Sequence, residues 1–271
     1  KLFAFDTETY GLDVINDDIL GISFCWQTKD SYFIDLSNKE LRKLVLPKLK
    51  LILENPEVKK IGHNIKFDYK VLKVLGIELA GLEFDTLIAA YLINSNRGLK
   101  LEELAFSYLG YKKLKLIELL DEVPKKKDGI DVSQIPMDKL AWYGAEDSDI
   151  TFRLYKKLLP LVESNKNLEL IKKMELPLIP VLAEMELNGV ELDIDFLAEM
   201  AKKFDHEIKK VSQKIYKLAG SEFNIASPKQ IKEVLFEDLQ ISTAGIKKTK
   251  TGISTAASEL EKMKDAHPII K

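Results

Sequence analysis

The 271-residue chain is poor in the residues that build soft-metal and redox sites, with one cysteine, Cys25, and three histidines. An intrachain disulfide is impossible, and a Cys/His zinc centre lacks its donors. A reducing interior is the simplest compartment. No apolar run is long enough to span a bilayer as a helix, and no signal-peptide layout stands at the start. Net charge is nearly absent as well: 41 Lys and Arg against 43 Asp and Glu leave −2. No global basic field therefore advertises a polyanionic partner, although a local groove is free to be basic. Any metal held here is a hard ion on oxygen ligands. What is present, 46% hydrophobic and 31% charged residues, is the balance of a soluble globular chain. It suffices for one large domain, or one domain and part of another. A strand begins directly after Lys1, so the sequence reads as a piece of a longer protein.

That strand, Phe3–Thr9 (FAFDTET), organises the rest. Its large apolar residues and period-two pattern predict a buried strand. Residues two apart share a strand face, so Asp6 and Glu8 point the same way near its carboxyl end. Two adjacent carboxylates repel, and burying them unpaired is costly. A metal cation makes such a pair favourable; a turn cap or a solvent-facing acid is the plainer alternative.

Ile19–Trp26 and Ser31–Leu36 read as further strands, joined by links short enough for an antiparallel meander. Helical spacing predicts a helix over Asn38–Leu53, and Val58–Gly62 follows as a strand parallel to the first. Asn64 and Asp68 then stand four apart at the start of a helix ended by Gly76, beyond a strand's carboxyl end. Each also suits a helix start without any ligand. Asp85 reads as the N-cap of a helix over Thr86–Ile93 and is kept out of the site. The lysine-rich stretch 112–133 reads as an exposed, solvated loop. Met137–Val162 is the strongest predicted helix of this half, with Tyr143 and Asp147 on one face. Gly144 and Ala145 between them let another backbone or a ligand come close.

Asp6, Glu8, Asp68 and Asp147 are thus four acids from three segments, with no histidine cluster beside them. Such a set suits two Mg²⁺ or Mn²⁺ ions and phosphoryl displacement, where metal charge stabilises attacking and leaving oxygens. The series Asp6-x-Glu8, Asn64-x-x-x-Asp68 and Tyr143-x-x-x-Asp147 resembles the exonuclease motifs of the DEDD superfamily, tyrosine subtype. The stretches FAFDTET, GHNIKFDYKVL, FDTLIAAYLINS and YGAEDSDITFRLY are most similar to the proofreading 3'-5' exonuclease domain of bacterial family A DNA polymerases. The resemblance covers residues 1–174. It implies an α/β, ribonuclease H-like mixed sheet flanked by helices. By the same resemblance Asp6 bridges two metals, and Glu8 and Asp147 complete the first site. Asp68 supports the second, and Tyr143 orients the attacking water. Leu12 and Asn64 lie beside the 3'-terminal nucleotide. A cytoplasmic, nucleoid-associated monomer is implied as well.

From Glu175 the character of the chain changes. A long lysine-rich helix is predicted over Phe196–Leu218, and Ser227-Pro228 opens another. Lys247, Lys248 and Lys250 lie in a basic loop without acids, either solvated or touching phosphates. Residues 175–271 resemble the start of the family A polymerase domain, a mostly α-helical partial thumb. In that family the thumb grips duplex DNA, while the single-stranded 3' end enters the exonuclease site. No stretch resembles the polymerase carboxylate motifs, so nucleotide addition is not expected. Two rival readings remain at this level. One is an RNase D-like exoribonuclease, against which the thumb-like tail speaks. The other is a catalytically silent DNA clamp, against which the intact acid set speaks.

Overall fold

Aromatic and aliphatic residues at the start of the chain form strand β1 (Leu2–Thr9). In the computed structural model it is the middle strand of a five-stranded mixed sheet. The structure describes residues 1–120, 132–249 and 252–271. The order across the sheet is β3-β2-β1-β4-β5, with β2 Ile19–Gln27, β3 Asp30–Asp35, β4 Lys59–Gly62 and β5 Leu82–Asp85. The first three strands pair antiparallel, because their links are too short for a crossover. β4 and β5 pair parallel, because helices α1 (Lys39–Leu53) and α2 (Ile65–Val74) intervene. Strand β5 escapes the sequence reading. Its four residues, LEFD, alternate apolar and acidic, but so short a run directly before a helix does not separate a strand from a helix N-terminus.

Phe5, Ile22, Ile61 and Leu158 are fully buried in the main core. Burial of each such side chain contributes about 1.5–3 kcal/mol. Helices α3 (Thr86–Ile93) and α4 (Leu101–Leu109) pack on the long helix α5 (Met137–Ser164), which itself lies on β1, β2 and β3. A single helical turn α6 (Leu168–Leu170) and a π-helical turn, Ile171–Glu175, lead into α7 (Leu176–Asn188). Helix α7 packs on α2, tied by ion pairs of Lys66 and Lys70 with Glu186 and of Lys73 with Glu184.

Backbone contacts divide the chain between Gly189 and Val190, whereas the sequence changes character at Glu175. The second unit begins with α8 (Ile194–Ala219), capped by Asp193, whose side chain accepts from Phe196 N. Ser227 caps α9 (Pro228–Lys232), with Pro228 at the first helical position. A small core of Leu235, Ile241, Ile246 and Met263 completes this unit, beside a two-stranded ribbon of β6 (Lys248–Thr249) and β7 (Gly252–Ile253). Among the described residues, no helix is long and apolar enough to cross a membrane.

Candidate active site

The site grows from a parting of strands. β1 pairs with β4 only through Leu2, Phe3 and Ala4, opposite Lys59, Lys60 and Ile61. Beyond that point the chains diverge, and Asp6 and Glu8 lie past the last paired residue. Crevices of this kind, outside strand carboxyl ends, are where open α/β sheets hold ligands. On the far side of the gap the chain turns through Asn64, held at φ 60°, ψ 45°, a left-handed conformation that Asn tolerates. Asn64 makes no capping hydrogen bond with its side chain. Asp85 does that work instead. It accepts from Ile65 N at 2.8 Å and Asn64 N at 3.3 Å. It also accepts from Leu87 N at 2.8 Å and Ile88 N at 3.2 Å. One buried carboxylate thus serves the starts of α2 and α3 together.

Asp68, one turn into α2, is fixed by β1. Its Oδ1 accepts from Thr7 N at 2.9 Å and from Thr7 Oγ1 at 2.6 Å. The threonine between Asp6 and Glu8 therefore locks the acid of the neighbouring helix, a role the sequence reading missed.

Asp147 arrives on α5, and Gly144 sets how near it comes. A Cβ at Gly144 would lie 3.0 Å from the Phe33 ring and 3.2 Å from Glu8 Oε1. The missing side chain lets the helix settle against β1 and β3. As a result, one carboxylate oxygen each from Asp6, Glu8 and Asp147 lies within 4.8 Å of the others. Asp68 is outside this trio but repels Asp6 electrostatically and lines the same cavity.

Crowding and burial raise the cost of charge. Burial pushes the Asp6 carboxyl well up, and Asp68 adds to it. Glu8 is raised by burial, then by Asp6 and Asp147. Burial pushes Asp68 up to about 7, although its Thr7 hydrogen bonds pull the other way. Asp147 is raised by burial, opposed by Lys113. Burial and the nearby acids raise Tyr143 far above the usual phenol range, so it stays protonated.

Hard cations fit this donor set. Asp147 Oδ1 is buried and has no directed hydrogen-bond partner among the described residues. The Lys113 ammonium stands 2.6 Å from it as an ion pair. Lys113 corrects the expectation of a solvated loop: its side chain is 2% exposed. Leu119 in the same stretch is buried too. Residues 121–131 lie outside the described ones.

An open cavity of about 430 Å³ adjoins the acids, lined by Asp6, Asp68, Leu12, Asn64, Phe67 and Leu99. Leu12 is 87% exposed, an apolar side chain standing at the rim. His63 also borders the cavity; its Nδ1 lies 2.9 Å from Thr86 Oγ1, and burial holds the imidazole below its usual pKa. In the second unit, Lys247 and Lys248 are exposed, with Lys247 N donating to Glu259 Oε2 at 3.0 Å. Lys250 lies outside the described residues.

Residues 1–163 match the family described as 3'-5' exonuclease, and residues 194–271 match DNA polymerase family A. DNA polymerase I of Chloroflexus aurantiacus is 36% identical over 279 residues, covering 98% of this chain and 29% of that protein. DNA polymerase I of Borreliella burgdorferi is 35% identical over 277 residues, covering 100% of this chain and 30% of that protein. The chain thus spans under a third of these relatives. Among solved structures, the POL domain of Pol1 from M. smegmatis, in complex with DNA primer-template and dNTP, superposes with a TM-score of 0.79. It is 25% identical and covers 100% of this chain and 43% of that one.

Proposed function

Because the chain belongs to the 3'-5' exonuclease family found in family A DNA polymerases, we propose that it shortens DNA from the 3' end as a proofreading nuclease. The observation that carries this reading is the trio of Asp6, Glu8 and Asp147 oxygens gathered at the carboxyl end of β1. Divalent metal use is implied by the family and suits the trio. In our reading two Mg²⁺ or Mn²⁺ ions are held by Asp6, Glu8 and Asp147, with Asp68 supporting the second. Bound there, they supply Lewis acidity and a nucleophilic water for in-line displacement at phosphorus.

The chain's own residues do the rest. The protonated Tyr143 phenol donates a hydrogen bond that orients the attacking water, and because it already carries its proton it does not serve as the base that takes one from the water. Leu12 and Phe67 offer apolar surface to the terminal base, with Asn64 as a polar partner beside Asp68. Thr7 keeps Asp68 aimed at the crevice. Lys247 and Lys248 contact phosphates of the duplex, with Lys250 close by in sequence. The stretch 194–271 that matches DNA polymerase family A favours DNA over RNA as substrate, bound by a single copy of the chain.

A 5'-labelled single-stranded DNA and its RNA counterpart test this with Mn²⁺ or with EDTA. The wild type yields a metal-dependent ladder shortening from the DNA 3' end, and Asp6→Ala loses at least about 10²–10³ of the rate. An equal ladder from Asp6→Ala, or shortening that survives EDTA, overturns the proposal. Faster digestion of the RNA moves the substrate assignment.

A further inference from the structure

Lys113 is the one buried cation beside the acid trio among the described residues. Burying an ammonium is costly unless it is paired, so its partners show what the position serves. Its Nζ lies 2.6 Å from Asp147 Oδ1 and 3.6 Å from the centroid of the Tyr143 ring. It also donates to Leu114 O at 3.1 Å. Glu146, the alternative acid, is 4.0 Å away and is already engaged. It accepts from Tyr111 OH at 2.7 Å and from Leu114 N at 3.3 Å. Those two bonds clamp the chain on either side of Lys113 against α5. The ammonium is therefore delivered to Asp147 by an anchored segment.

We propose that Lys113 is a tethered counter-cation of the carboxylate site, competing with divalent ions for Asp147 and so setting the metal concentration at which the site fills. The inference rests on the metal-site reading of Asp6, Glu8 and Asp147. Its physics is simple. A fixed positive charge on a ligand oxygen offsets carboxylate repulsion without any metal, and it repels an incoming cation at the same place. The compact ammonium on a flexible stem suits a charge that must yield. Lys113 positions and gates the ligands and touches no reacting atom.

Direct Mn²⁺ titration of the full chain by calorimetry tests it, with Lys113→Met, Lys113→Gln and Asp6→Ala at fixed pH and salt. Both lysine variants bind Mn²⁺ about tenfold more tightly than wild type, while Asp6→Ala loses this binding. In EDTA both lysine variants melt below the wild type, and saturating Mn²⁺ repairs the loss, which a merely structural lysine would not allow. Equal or weaker Mn²⁺ binding by both lysine variants, with Asp6→Ala still defective, overturns the inference and leaves the metal site standing. Undiminished binding by Asp6→Ala overturns the site reading and this inference with it.

Discussion

Asp68 carries its charge at a cost to the fold. A carboxyl whose folded pKa exceeds its unfolded one binds more protons in the native state, so stability falls as pH rises between the two. For Asp68 that window runs from about 4 in the unfolded chain up to about 7. Asp68→Asn keeps an oxygen for the Thr7 donors and cannot ionise. In EDTA the variant gains on the wild type as pH rises from 5 to 8, and the two converge again on acidification. Thermal melts across that range measure it; a gap that is flat or widens toward acid would contradict the assignment. Neither Thr7 nor Lys113 announces itself at this scale. A threonine in a strand and a lysine in a lysine-rich run are ordinary residues until their partners are seen.

At the level of elements, the placing of α5 decides whether Asp147 meets Glu8. The tight fit of Gly144 against Phe33 and Glu8 makes it the sensitive point. Gly144→Val overpacks this contact, for a loss of about 1–3 kcal/mol. It also moves Asp147 off the trio. The expected result is a still helical protein with Mn²⁺ affinity and nuclease rate reduced at least about tenfold. Full Mn²⁺ affinity in a folded Gly144→Val protein would show that the helix has slack here. The helix itself is legible: strong periodicity predicts 137–162, and the structure has Met137–Ser164. Strand β5 is not, because four alternating residues are too few to separate a strand from a helix start, and pairing with β4 decides it. The same holds for Asp85. Its capping of α3 is readable from position, while its bonds to the start of α2 depend on a neighbour 20 residues away.

For the whole molecule, the distribution of core matters. The main core draws its buried residues from Phe3 to Ala183, and a separate small core draws on Leu235 to Met263. A fragment of residues 1–189 therefore retains everything the carboxylate site needs. It should melt cooperatively and keep metal-dependent 3' shortening of single-stranded DNA within about tenfold of the full chain, since affinity gained from a second contact region is what it gives up. Failure of this fragment to fold would show that the first unit leans on the second. The apolar residues Phe204, Ile208 and Val211 of α8 are about half exposed. The second unit alone therefore has less buried surface to stabilise it.

The sequence by itself determined the secondary elements with strong periodicity and the identity of the acids. Which of them share a face follows from backbone geometry, and the order and text of the motifs carried the resemblance that names their chemistry. Which oxygens meet was decided by tertiary structure. The divergence of β1 from β4, the bare flank of Gly144, the Thr7 clamp on Asp68 and the burial of Lys113 all join residues distant in the chain. Their energies come from packing and desolvation, which no local pattern encodes.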